Sequence, residues 1–189
     1  KKSDITFKNF QWYINEKETA GNTIIFDKQF KNFNFNQLTL SHNDQFIDFN
    51  GVMNGNTYKD FNFTFNDVDI SKITPDIKNL SLGGKLNGNL KYKQDNLVYE
   101  PSTDLTIDGL QLNNDDLGNL KLKVFGDENF KTFNVDASIV HQDEVTFSTT
   151  GTVDIVNSQT VLNLEAVFEN FNIKPIGGFL TGVLDNVRG

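Results

Sequence analysis

Apolar and polar side chains alternate with period two over nearly the whole chain. Phe61-Asn62-Phe63-Thr64-Phe65, Leu86-Asn87-Gly88-Asn89-Leu90-Lys91-Tyr92, Leu120-Lys121-Leu122-Lys123-Val124 and Phe133-Asn134-Val135-Asp136-Ala137-Ser138-Ile139 show it most plainly. Such alternation sends the apolar set to one face of a β-strand and the polar set to the other. The pattern predicts about a dozen strands, over residues 5–14, 23–26, 33–41, 46–53, 59–65, 80–92, 97–100, 105–112, 120–125, 132–141, 144–155 and 160–168. Turn chemistry separates them: Asn43-Asp44, Asn54-Gly55-Asn56, Gln94-Asp95-Asn96, Asn113-Asn114-Asp115-Asp116 and Gly126-Asp127-Glu128-Asn129. Only one stretch changes period. Ile176, Phe179, Leu180, Val183, Leu184 and Val187 behind Pro175 predict a short amphipathic helix, weakened by Gly177, Gly178 and Gly182. A single helical turn is expected over residues 71–77.

A hexapeptide, apolar-x-(Asn/Asp/Gly)-apolar-x-apolar, recurs with Asn9, Asn32, Asp60, Asp67, Asn79, Gly109, Asn119 and Asn170 at its third position. These residue types tolerate a left-handed backbone. An inserted left-handed residue shifts the alternation by one step, so that apolar side chains resume on the same face, which predicts a β-bulge at each copy. Residues 65–70 also align with residues 168–173 at an offset of 103, a weak internal repeat. The reading is a single segment, residues 1–189, excised from a longer repetitive protein.

Composition narrows the chemistry. Phe supplies 18 of the aromatic residues against 1 Trp and 4 Tyr, and 26 of the 189 residues are Asn. Cys is absent, so neither a disulfide framework nor a Cys-ligated zinc site can be built. The net charge of −8 speaks against nucleic acid as a partner. His42 and His141 both stand at strand ends without recognisable triad or metal spacing. Asp115-Asp116 and Asp127-Glu128 lack the twelve-residue calcium-loop pattern and read as solvated turns. Gly83-Gly84 and Gly177-Gly178 lack the Lys-Ser/Thr of a phosphate loop. No enzyme chemistry and no cofactor are expected. The apolar face is left, and composition alone suits an ordinary core and a lining for acyl chains equally.

Leu82-Gly83-Gly84-Lys85-Leu86-Asn87-Gly88-Asn89-Leu90, then Tyr99-Glu100-Pro101-Ser102-Thr103-Asp104-Leu105-Thr106-Ile107, resemble periplasmic repeats of the TamB proteins of Bacteroidetes-type bacteria. So do Leu112-Asn113-Asn114-Asp115-Asp116-Leu117-Gly118-Asn119-Leu120 and the run Val183-Leu184-Asp185-Asn186-Val187-Arg188-Gly189. TamB is the translocation and assembly module subunit, within the wider AsmA-like group, and the resemblance covers roughly residues 46–189. It implies an all-β fold: a curved amphipathic β-sheet groove, or β-taco, with one or two short helices. It implies a periplasmic segment of an inner-membrane-anchored protein, moving phospholipids between inner and outer membranes in outer-membrane biogenesis. It also implies an outer-membrane barrel of the Omp85 type as partner.

On this reading phospholipid acyl chains lie against Phe33, Phe35, Leu38, Leu40, Phe49, Phe61, Phe63, Phe65, Leu86 and Leu90. The lining continues through Leu105, Ile107, Leu120, Leu122, Val135, Ile139, Phe147, Val153, Leu162 and Leu164, while Gly51, Gly88 and Gly151 let strands bend or keep the groove open. Two alternatives stand beside the conduit. One is a scaffold that lends sheet edges to outer-membrane β-barrel proteins during assembly or secretion. The other is a plain β-sandwich adhesin module with a sealed core.

Overall fold

In the computed structural model, residues 12–14, 23–74, 80–157 and 159–172 are described. They form eleven strands and one helical turn: β1 (Tyr13–Ile14), β2 (Thr23–Phe26), β3 (Asn32–His42), β4 (Gln45–Asn54), β5 (Tyr58–Asp69), α1 (Ile70–Ile73), β6 (Leu82–Asp95), β7 (Val98–Leu112), β8 (Asp115–Gly126), β9 (Thr132–His141), β10 (Glu144–Val156) and β11 (Gln159–Phe168). All belong to one antiparallel sheet in which β3 to β11 follow in chain order. On the outer side of β3, β2 pairs with residues 33–36 and β1 with residues 40–41. No ladder joins β11 back to the first strands among the described residues, so the sheet is open.

The alternation located these strands closely, and the departures have causes. Segments 97–100 and 105–112 are one strand, β7, rather than two. Residues 101–104 continue the strand, and the ladder to β8 begins only at Ser102, so the missing N–H of Pro101 interrupts no pairing on that side. The expected turn at 71–77 is α1, capped by the Asp69 carboxylate, which accepts from the Ser71 N–H at 3.0 Å. The helix expected behind Pro175 lies outside the described residues, as does most of the 5–14 strand.

The hexapeptide is an imperfect guide to the bulges. Asp67 (φ 50°), Gly109 (φ 60°) and Asn170 (φ 51°) are left-handed as expected, and the pairing register slips at Phe65/Val68 and Ile107/Leu110. Asn32, Asp60 and Asn119 instead keep regular ladder partners. In the copy starting at Leu117 the left-handed residue is Gly118. Asn9 and Asn79 lie outside the described residues. The bulge between Phe35 and Leu38 turns on Gln37 (φ 47°), a residue type the pattern excluded.

What the pattern could not express is the partner of each bulge. Asn87 faces the bulge of β5, and its Oδ1 accepts the Asp67 N–H at 2.8 Å. Asn119 faces the bulge of β7, and its Oδ1 accepts the Gly109 N–H at 2.8 Å. A side chain thus satisfies the donor that the bulge removes from the ladder.

Gly88 (φ 117°) lies in this bulged region, opposite Phe65 and Leu105. A Cβ there would stand 2.2 Å from the Asp104 carbonyl oxygen, so the ladder closes only around a residue without one. Gly151 repeats the arrangement, 2.1 Å from the Asn163 carbonyl oxygen.

Candidate functional site

The registers carry apolar side chains straight across the sheet. Phe65, Gly88, Leu105, Leu122, Ala137, Thr149 and Ala166 form one row from β5 to β11. Val68, Leu86, Ile107, Leu120, Ile139, Phe147 and Phe168 form the next. All twenty residues expected to line a groove share this face. β3 supplies Phe33, Phe35, Leu38 and Leu40, β4 Phe49, β5 Phe61, Phe63 and Phe65, and β6 Leu86 and Leu90. β7 adds Leu105 and Ile107, β8 Leu120 and Leu122, β9 Val135 and Ile139, β10 Phe147 and Val153, and β11 Leu162 and Leu164.

The face is only partly covered. Among the described residues the buried apolar side chains are Val68, Ile70, Leu86, Leu112, Leu117, Ala137 and Ile139. A tight cluster forms where Val68, fully buried, meets Ile70 and Leu86, with Trp12, Ile47 and Leu110 packed around them. Most of the remaining apolar face is half-exposed.

The sheet curls toward this face. Leu82, Leu110, Leu112, Leu117, Leu120, Ile139, Phe147, Leu162, Leu164, Ala166, Phe168 and Phe171 line one trough of about 640 Å³, whose only polar contributor is Thr149. β6 and β11 are five strand spacings apart, roughly 24 Å in a flat sheet, yet Leu82 and Phe168 border the same hollow. Leu82, Leu110, Leu112, Leu117, Ala166, Phe168 and Phe171 were absent from the expected lining. A signal was present for several of them, because Leu82, Leu110, Leu112 and Phe171 are fourth or sixth positions of hexapeptide copies, where apolar residues recur.

The other end of the same face is aromatic. Eleven rings, Phe26, Phe30, Phe33, Phe35, Phe49, Phe61, Phe63, Tyr92, Tyr99, Phe130 and Phe133, form an unbroken chain with centroids 4.6–6.5 Å apart. Burial pushes the Tyr92 phenol above its ordinary pKa. The face therefore has an aliphatic basin and an aromatic margin.

Two turns close the aromatic end with one design, 100 residues apart. In Asp27-Lys28-Gln29-Phe30-Lys31, the Asp27 carboxylate accepts the Lys31 N–H at 2.9 Å and the Asp27 carbonyl accepts the Phe30 N–H at 3.1 Å. In Asp127-Glu128-Asn129-Phe130-Lys131, the Asp127 carboxylate accepts the Lys131 N–H at 2.7 Å and the Asp127 carbonyl accepts the Phe130 N–H at 3.1 Å. Phe30 (φ 54°) and Phe130 (φ 57°) both adopt the left-handed conformation, which costs about 1–2 kcal/mol for a residue with a Cβ. The second turn also leans back over β7, through a 3.0 Å bond from the Tyr99 N–H to the Glu128 carbonyl.

The backbone amides of Lys31 and Lys131 hold the Asp27 and Asp127 carboxylates below their ordinary pKa. Folded values below the unfolded ones mean a contribution fully present above about pH 4 and lost as pH falls through the folded values. The thermal midpoint is expected to drop in acid below that point. Asp27→Asn/Asp127→Asn should show a shallower drop when both proteins are melted across pH 2.5 to 6 (roughly the carboxylate range).

The opposite face is polar and cross-linked between strands. The Thr64 hydroxyl donates to Asn89 Oδ1 at 2.9 Å, and the Lys93 ammonium meets Glu100 at 3.0 Å. Asp154 accepts from Thr132, Thr152 and Asn163, tying β9, β10 and β11 together. Asp116 accepts the Gly118 N–H at 2.9 Å. The His42 ring lies 5.6 Å from the Trp12 ring. Among the described residues no group of His, Asp and Glu side chains is placed to hold a metal ion, and no helix is long and apolar enough to cross a membrane.

Fold and face together define a class: a single open antiparallel sheet with one continuous apolar surface, curled toward it. Comparison of the chain with protein families, curated proteins and solved structures gives no match.

Proposed function

We propose that the chain is a β-taco segment of a TamB-like, AsmA-like periplasmic protein anchored in the inner membrane, and that its apolar face carries phospholipid acyl chains between the two membranes. The role is passive and needs no catalytic group or cofactor. The supporting observation is the unbroken, half-exposed apolar face across nine consecutive strands, from β3 to β11. A sealed core would bury far more of those side chains. The adhesin sandwich also lacks a second facing sheet among the described residues.

The aliphatic basin has a suitable size. At about 30 Å³ for a water-sized group such as a methylene, its 640 Å³ accommodates one acyl chain of ordinary length. Burial there stabilises the chain by about 25 cal/mol per Å², without directional bonds that would stop it sliding. Headgroups remain in water along the margin.

Photo-crosslinking residues placed at Phe63, Leu122 and the outward-facing Asn62 in cells test the reading. Phospholipid adducts are expected at Phe63 and Leu122 and not at Asn62. Equal labelling at all three positions, or none at any, sinks it.

A second reading draws on β11. Its outer edge has no ladder partner among the described residues, and all ten of its residues are exposed. Such an edge suits strand addition, as in a scaffold handing outer-membrane strands to an Omp85-type barrel. Crosslinks from Val161 or Glu165 to a barrel precursor, with an empty apolar face, favour this role over the conduit.

A further inference from the structure

We propose that Phe30-Lys31 and Phe130-Lys131 are paired tips that engage phospholipid: each ring sits at the ester level of the lipid and each ammonium meets its phosphate. Acyl chains then pass onto the aromatic margin and along it to the aliphatic basin. The inference rests on the lipid-carrying reading above and assigns the mouth of that groove.

Three independent observations converge on these turns. The first is conformational. Phe occupies the left-handed position in both (φ 54° and 57°), where other turns of the sheet place polar residues or glycine, as at Asn43, Asn96, Asn113, Gln142 and Gly55. A turn needed only to reverse the chain has no use for a strained ring, and strain of this kind points to function. The second is direction. Phe30, 64 % exposed, stacks on Phe26 with centroids 5.0 Å apart. Phe130, 39 % exposed, packs edge-on against Tyr92 at 5.9 Å and Phe133 at 5.2 Å. Both rings therefore join the aromatic margin while keeping an open side to water.

The third is charge. The chain carries −8 overall, yet an exposed Lys directly follows the Phe at both tips. The acidic residue that opens each turn, Asp27 or Asp127, is occupied by the turn's own amides. A ring beside an ammonium is the pairing that a boundary between water, phosphate and hydrocarbon selects. Lys28 adds a second cation to the first turn and Glu128 an anion to the second, which makes the first turn the stronger phosphate contact. The tips are six strands apart, roughly 29 Å along the sheet, so one molecule meets a lipid layer at two points.

The test is transfer of fluorescent phosphatidylglycerol between vesicles of phosphatidylethanolamine and phosphatidylglycerol by the full 189-residue chain. Phe30→Asn/Phe130→Asn is expected to slow transfer about tenfold (the factor for one lost contact of ordinary strength). Phe30→Tyr/Phe130→Tyr restores the rate, and Lys31→Gln/Lys131→Gln slows transfer severalfold and flattens its salt dependence. Phe30→Asn alone removes the more exposed ring and relaxes its turn, so its melting temperature is expected to equal or exceed that of the native chain. It shows a smaller slowing and decides the question should the double variant unfold. Native transfer rates in the Asn variants overturn the inference while leaving the groove reading intact. A native chain that neither loads nor transfers lipid overturns both.

Discussion

Gly88→Ala is expected to destabilise the protein by about 3 kcal/mol, lowering its melting temperature by roughly 6–12 °C for a chain of this size. Two effects add. Gly88 has φ 117°, a conformation that residues with a Cβ rarely adopt. The added methyl would also stand 2.2 Å from the Asp104 carbonyl oxygen and 3.0 Å from Leu105 Cα. Both are backbone atoms of β7, so the side chain cannot be turned aside and the ladder itself must part. Gly55→Ala provides the internal scale: it also has a positive φ, of 58°, but open space around the new methyl, so its cost is only about 1–2 kcal/mol. Urea unfolding of the two variants separates these terms. Equal losses show that conformational strain alone sets the cost and that the close approach of β6 to β7 contributes nothing.

The largest functional effect is expected from Leu162→Asp/Leu164→Asp. Both side chains border the aliphatic basin, yet they are 59 % and 39 % exposed. In the empty protein the new carboxylates remain in water, and the fold loses little. With an acyl chain in the basin, the same groups lie beneath hydrocarbon without a partner, which costs at least a kcal/mol or two each. Loading with a fluorescent fatty acid is therefore expected to weaken about a hundredfold, with a near-native melting curve. Gln159→Asp/Val167→Asp, at two exposed positions on the opposite face of the same strand, carries the same two charges and leaves loading unchanged. Loading lost equally in all the variants points to general electrostatic repulsion of an anionic ligand, and loading retained in the double variant places the ligand elsewhere.

Much of this architecture was legible in the alternation, because a period of two fixes which side chains share a face whatever the curvature of the sheet. All twenty residues expected along the groove lie on the one face for this reason. Legibility failed where geometry depends on what stands opposite a residue. Asp60 and Gln37 show the difference. Asp60 satisfies the hexapeptide and yet pairs regularly with Val52 and Lys93, whereas Gln37 violates it and adopts φ 47°. A bulge is a property of two strands, and Asn87 and Asn119, which hold the bulges of β5 and β7, are remote in sequence from the residues that bulge. Part of the aromatic margin was hidden as well, although Phe33, Phe35, Phe49, Phe61 and Phe63 were expected on the face. Phe30 and Phe130 fall in turns, outside the alternating strands from which the lining was read.

The order of the strands has a consequence for how the molecule comes into being. From β3 onward every ladder joins a strand to the one just before it in the chain, so each pair closes a short loop, apart from β5 and β6, which are joined through α1, and no strand waits for a distant partner. Chains with such local pairings fold quickly for β proteins, and their stability accumulates from neighbour to neighbour. A polypeptide delivered from one end, as during synthesis or export, builds this sheet strand by strand as it emerges. At every stage the unfinished edge is the most recent strand.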